Sequence, residues 1–265
     1  MSRPLHDIRC FLLDMDGTFY LDEHLIDGAF QFIEVIRAQG REFIFLTNNS
    51  SRHRGYYARK ISRMGLAVPE SRIFTSGEAT ALYLKRKSPG ARIYLVGTKY
   101  LEEEFSQHGF TLDNQNPELV VLGFDTTLKY RKLWKLCDFV RAGLPYIATH
   151  PDLNCPTKGG FMPDIGAVIA FVQASTGRLP DQIIGKPYRT IIEELSHRLQ
   201  LPLERLAMVG DRLYTDVALG ASTGITTILV LSGETQPADL ESSPYKPDYI
   251  FEHIGELANF LSGSA

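Results

Sequence analysis

Short, wholly apolar runs recur along this 265-residue chain, most of them followed by a segment with helical spacing of its apolar residues. Runs such as IRCFLL (8–13), EFIFLTN (42–48), SRIFTSG (71–77), RLAMVGD (205–211), TTILVL (226–231) and DYIF (248–251) are too short for helices. Several of them lack polar alternation, the mark of strands covered on both faces. Between them lie helical segments. Residues 29–39 read as a helix capped by Asp27 and stopped by Gly40, 189–201 as another, and 253–261 as a terminal one. Strands alternating with helices at this spacing predict a parallel, doubly wound α/β sheet of Rossmann-like type.

The middle of the chain repeats the pattern at 92–97, 118–125 and 145–150, with a helix over 164–175. About nine strands is large for one open twisted sheet. A second, smaller α/β domain inserted into the first is the simpler reading. Residues 1–80 and 182–265 then form the core and 81–181 the insertion, with GRLPD (177–181) as the returning linker.

Composition narrows the class. A net charge of −3 gives no footprint for nucleic acid or an anionic membrane. The most basic stretch, 51–63, reads as a solvated helix face. Cys10, Cys137 and Cys155 form no CxxC pair, so neither a disulfide framework nor a zinc site is indicated. No apolar stretch reaches ~18 residues, the length of a membrane span. The first residues lack the apolar core and cleavage site of a secretory signal. A soluble protein of the reducing cytoplasm is expected.

Ligands of open α/β sheets bind beyond the carboxyl ends of the strands. Several polar residues fall there: Asp14 and Asp16 after the first strand, Thr47 and Asn48 after the second, Lys186 in IIGKP, and Asp211 and Asp216 in MVGDRLYTD. Each alone could be a turn former or a helix cap; together they fit phosphoryl transfer through an aspartyl-phosphate. A carboxylate approaching a phosphate dianion meets repulsion of about 4 kcal/mol per charge pair at ~4 Å in an intermediate dielectric. Mg²⁺ held by oxygen ligands offsets it, with Asp14 and Asp211 as the expected ligands. Thr47 and Lys186 would hold the phosphoryl oxygens. Asp16, placed by the period of two on the same side of the strand as Asp14, would move protons to the leaving oxygen and from water. Gly17 would let the backbone approach the phosphate.

The motifs FLLDMDGT, FLTN, IIGKP and MVGDRLYTD resemble, in this order, those of the haloacid dehalogenase-like phosphatases. The position and length of the insertion resemble the subfamily with a class II α/β cap, which includes nitrophenyl phosphatases and ribonucleotide monophosphatases. LTNNSS, TSGEAT, VLGFD and ATHPDLN resemble that subfamily too. The resemblance implies that Asp14 is the nucleophile and Asp16 the acid/base, and that the Asp16 carbonyl also ligates Mg²⁺. It also implies that Asp216 supports the metal from behind and that the substrate is a small phosphorylated metabolite. A homodimer through the cap is implied in the same way. His150 stands where relatives carry Asn in ATNPD; with Asp152 and Asn154 it forms a polar loop that could meet the substrate.

Other signals carry less. GASTG (220–224) has the spacing of a hydrolase serine, but it follows a helical segment and precedes a strand, the reverse of the required order. The sequons at Asn48 and Asn49 have no secretory context. A receiver-like phosphoacceptor without turnover shares acids, Thr and Lys on a similar sheet. It is about half this length and has no acid two residues after the phosphoacceptor. A dehalogenase would not need Asp16.

Overall fold

The computed structural model describes residues 3–157 and 159–263. The chain separates into two compact units. One comprises the residues up to Thr47, Arg54–Phe74 and the residues from Pro187 onward; the other comprises Asn48–His53 and Thr75–Lys186.

The first unit is built on a six-stranded sheet. Its order across the sheet is Tyr249–Phe251, Thr226–Val230, Leu206–Gly210, Cys10–Leu13, Glu42–Thr47, Ile73–Thr75. The registered pairs are parallel, with Leu13 beside both Val209 and Phe45. All four residues of Cys10–Leu13 are buried, as a central strand covered on both faces requires. Phe11 and Leu13 join Phe32, Ile36, Phe43, Phe45 and Ile254 in one core. Strand order follows chain order outward in one direction as far as Ile73–Thr75. It then resumes on the other side of Cys10–Leu13 with Leu206–Gly210. The sheet therefore has its switch point between these two strands.

The second unit has its own five-stranded sheet, in the order Gln182–Ile183, Tyr146–Ala148, Leu119–Leu122, Arg92–Val96, Thr111–Leu112. Every pair in it is parallel. Helices Tyr130–Arg141 and Ile165–Thr176 supply Leu136, Val140, Ile169 and Val172 to a core with Val96, Val120 and Tyr146. An antiparallel hairpin pairs Asn154–Thr157 with Gly160–Pro163.

The α/β architecture agrees with the sequence, but the second unit takes in Asn48–His53 and Thr75–Lys186 where 81–181 was expected; two local details differ as well. Helix Ala29–Ala38 is preceded by Gly28 in the left-handed conformation at φ 78°, and no side chain caps it. Asp27 is one residue too early to do so. The second difference concerns Asp16. The strand ends at Leu13, and the Met15 carbonyl then accepts from Thr18, Phe19 and Tyr20 N–H groups. Asp16 is thus beyond the strand, in an isolated β-bridge with Tyr20, and the turn follows it at residues 17–19. Among the described residues no helix is long and apolar enough to cross a membrane. Cys10, Cys137 and Cys155 are free thiols.

Candidate active site

Two neighbouring strands deliver two carboxylates to the switch point. Asp14 is the first residue beyond Cys10–Leu13, and its N–H donates to the Val209 carbonyl at 2.9 Å. Asp211 is the first beyond Leu206–Gly210. The chain then forms a single π-helical turn, Leu213–Val217, which brings Asp216 back. Its carboxylate accepts from the Arg212 N–H at 3.2 Å. Gly210 makes room for it, since a Cβ there would meet the Asp216 carboxyl carbon at 2.3 Å. Carboxylate oxygens of Asp14, Asp211 and Asp216 lie within 4.8 Å of one another, and all three residues are buried.

Burial, then the charges of Asp14 and Asp216, push the Asp211 pKa up to about 7. Arg212 feels all three acids. Burial works against its charge, but Asp14, Asp211 and Asp216 outweigh it and raise its pKa further. That guanidinium also pairs with Glu234, Nε to Oε2 at 2.9 Å. The Arg212 guanidinium thus serves these three buried acids as well as Glu234. An all-oxygen donor set of clustered carboxylates is the chemistry that a hard divalent cation matches.

Asp211 is held from several sides. Thr18 Oγ1 donates to Oδ1 at 3.3 Å and the Glu234 N–H to Oδ2 at 2.7 Å. Gly17 has φ 81°, and a Cβ on it would lie 2.5 Å from Asp211 Oδ2. Glycine is required at position 17 on both counts. The Ser232 hydroxyl donates to the Gly17 carbonyl at 2.7 Å, tying the loop after Thr226–Val230 to the Asp16–Thr18 turn. Asp16 is more open, with about 63% of its side chain exposed. Crowding of protein around the turn still raises its pKa. Lys60, 3.7 Å away, opposes this and Asp14 adds to it. Tyr20 Oη donates to Asp16 Oδ2 at 3.3 Å. Thr47 is buried at the end of its strand, two residues beyond the Phe45 that pairs with Leu13.

The remaining expected residues belong to the second unit. Asn48, His150 and Lys186 are all buried there. Asn48 hydrogen-bonds to Lys186 main chain and to the Asp152 carboxylate. His150 is fully enclosed. Its Nε2 lies 3.0 Å from Asp164 Oδ1, and its Nδ1 is 3.2 Å from Thr149 Oγ1 and 3.4 Å from Ser76 Oγ. Both ring nitrogens are thus engaged inside the unit. His150, Asp152 and Asp164 also have ligand atoms close together, but internal hydrogen bonds already use them. Sequence reasoning missed Thr18, Tyr20, Lys60, Arg212 and the 232–235 loop. The loop directly follows a strand's carboxyl end, the same signal that marked the acids.

Family models match both parts of the chain: "Haloacid dehalogenase-like hydrolase" over residues 11–111 and "HAD-hyrolase-like" over residues 183–257. The crystal structure of a 4-nitrophenylphosphatase from Thermotoga maritima superposes with a TM-score of 0.94 at 50% identity, covering 96% of this chain and 98% of that one. An acid sugar phosphatase of Staphylococcus aureus is 34% identical over 249 residues, 94% of this chain and 96% of its own length. A glycerol phosphate phosphatase from Mycobacterium tuberculosis, solved in complex with calcium, gives a TM-score of 0.87 at 29% identity, over 96% of this chain and 75% of that one. The chain belongs to the haloacid dehalogenase-like hydrolase family. Within that family it falls among the phosphoric monoester hydrolases.

Proposed function

We propose that the protein is a Mg²⁺-dependent phosphatase of small phosphorylated metabolites that works through a phosphoaspartate at Asp14. The observation that carries this reading is the buried Asp14, Asp211 and Asp216 cluster, in which burial first and then the charges of the other two acids raise the Asp211 pKa to about 7. Asp14 and Asp211 through their carboxylates, and Asp16 through its main-chain carbonyl, would hold the ion, with Asp216 supporting it from behind. When bound, Mg²⁺ offsets the repulsion between carboxylate and phosphate.

The Asp14 carboxylate attacks phosphorus, and the bond from phosphorus to the ester oxygen breaks. Asp16, whose pKa burial raises above the ordinary carboxylate value, gives its proton to the departing oxygen. It then takes a proton from a water whose oxygen attacks the phosphoaspartate, releasing inorganic phosphate and restoring Asp14. Tyr20 and Lys60, both touching Asp16, orient its carboxylate for the two transfers. Thr47 and Lys186 are assigned to the phosphoryl oxygens by their motifs, and Gly17 to close backbone approach.

Sugar phosphates and an aryl phosphate are the first substrates to try, since relatives are named for them. Buried free thiols at Cys10 and Cys137 suit a reducing cytoplasm. The test is phosphate release from a panel of phosphomonoesters, with Mg²⁺ and with EDTA, for wild type and Asp14→Asn. Metal-dependent release that vanishes in the variant supports the proposal. Release that persists in Asp14→Asn removes Asp14 as nucleophile, and release after thorough chelation removes the metal.

A further inference from the structure

The side-chain amide of Asn48 pairs with both main-chain groups of Lys186. The Lys186 N–H donates to Asn48 Oδ1 at 2.8 Å, and Asn48 Nδ2 donates to the Lys186 carbonyl at 2.9 Å. Nδ2 donates in addition to Asp152, 3.0 Å from Oδ1 and 3.2 Å from Oδ2. An ionised carboxylate only accepts, so Asp152 fixes which end of the amide is the NH₂. Both Nδ2 hydrogens are then used, one on Lys186 and one on Asp152. None is left for a phosphoryl oxygen.

The clamp is itself held. The Asn48 carbonyl accepts from the Ser76 hydroxyl, and His150, tied to Asp164, stands beside that hydroxyl. Gly185 passes so close that a Cβ on it would meet Asn48 Oδ1 at 2.6 Å and both His150 Cβ and the Thr149 carbonyl at 2.8 Å. Its N–H donates to that carbonyl at 2.8 Å. Crowding by Asn48, His150 and Thr149 therefore leaves no room for a side chain at the position before the lysine.

We infer that Asn48 is a positioning residue for Lys186, with Asp152 setting its orientation, and is not a substrate contact. The inference rests on the reading that Lys186 serves the phosphoryl group. A lysine reaches its target on a four-carbon stem with many rotamers. Locking N–H and carbonyl at its root removes the backbone share of that freedom, and misplacement of a catalytic group by about 1 Å can cost about 100-fold in rate.

The test is a double-mutant cycle with three phosphomonoesters of different leaving group, using Asn48→Ala, Lys186→Ala and the pair. Asn48→Ala is expected to lower kcat/KM about 10- to 100-fold, by the same factor for each ester. In the Lys186→Ala background it should cost less than about threefold, because there is no longer an ammonium to place. Equal losses in both backgrounds, or losses that differ strongly between esters, would make Asn48 a substrate contact and overturn the inference. Amide hydrogen exchange at Lys186 provides a readout independent of activity: protection should be lost in Asn48→Ala, and retained protection overturns the clamp. If Lys186→Ala is fully active, the phosphoryl role of Lys186 fails instead, while exchange still judges the clamp. Should Asn48→Ala not fold, the isosteric Asn48→Asp sets a carboxylate against Asp152. Adding Asp152→Asn restores a donor between them and should recover at least about tenfold of the loss; no recovery counts against the assignment of Asp152.

Discussion

The carboxylate of Asp211 lies so close to Gly233 that a methyl group on that glycine would meet Asp211 Oδ2 at 2.0 Å. The carboxylate cannot swing away cheaply, because Thr18 and the Glu234 N–H hold its two oxygens and Gly17 flanks it. Gly233→Ala should therefore displace the acid from the cluster while leaving Asp14 chemically intact. We expect the Mg²⁺ concentration for half-maximal activity to rise at least about tenfold, roughly the loss that follows damage to a ligand's support. Calorimetric Mg²⁺ titration should show the same weakening. Unchanged metal affinity would mean that the loop after Thr226–Val230 does not position Asp211.

Asp14→Asn and Asp211→Asn should separate chemistry from electrostatics. Loss of a nucleophile in a group that acts as a unit costs on the order of 10⁴-fold or more, and Asp14→Asn is expected to show it with an intact fold. Asp211→Asn removes a charge that burial, Asp14 and Asp216 already disfavour. In EDTA the variant should melt about 2–6 °C above wild type, the rise that about 1–2 kcal/mol of relief gives in a chain of this size. Differential scanning calorimetry checks this. A lower melting temperature would show that the hydrogen bonds to Asp211 outweigh the repulsion.

The pH dependence follows in sign from the same residue. An ordinary aspartate titrates near 3.8, while Asp211 in the folded protein titrates near 7. Between these values the folded state keeps a proton that the unfolded state has released. The stability this contributes is complete below pH ~4 and is lost as pH rises through about 7. In EDTA, the advantage of Asp211→Asn over wild type should thus grow from pH 5 to pH 8. Saturating Mg²⁺ should reverse the trend for wild type, because the ion binds the deprotonated form. Melting curves across pH with and without the metal test both signs, and an advantage that does not change with pH contradicts the assignment.

What could be read from the chain follows the physics of each position. Asp14 and Asp211 were legible because an apolar strand that ends in an acid announces itself, and because the switch point of a doubly wound sheet draws ligands. Asp216 was legible only through its motif, since a π-helical turn brings it back to the strand end. The 232–235 loop acts largely through main chain and missing side chains, which have no signature in side-chain chemistry. Asn48 was legible as a strand-end polar residue, but its partner lies 138 residues away, beyond any local pattern. Asp16 was legible as the second acid after the strand, while the turn that follows it, built on the Met15 carbonyl, brings Tyr20 back to it. The segment after Thr47 joins the second unit because Ser50 and Ser51 bond to it. Ser50 Oγ pairs with Thr149 Oγ1 at 2.9 Å, and Thr98 donates to the Ser51 carbonyl at 2.8 Å.

His150 shows what a fully enclosed polar ring contributes to stability. It has no exposed surface, and its Nε2 lies 3.0 Å from Oδ1 of Asp164, an acid that also caps helix Ile165–Thr176 through the Ile165 N–H at 2.6 Å. His150→Phe keeps most of the volume and the edge contact with Phe124, whose ring lies 6.3 Å away, but it leaves the buried Asp164 one donor short. Removing one partner of a buried charged hydrogen bond costs about 1–3 kcal/mol, so unfolding of the second unit should move to lower temperature. His150→Ala adds a cavity and should cost about 2–5 kcal/mol. Amide exchange in helix Ile165–Thr176 reads out the effect locally, with the first turn expected to lose protection first. An unchanged exchange pattern in both variants would mean that Asp164 caps this helix without help from the histidine.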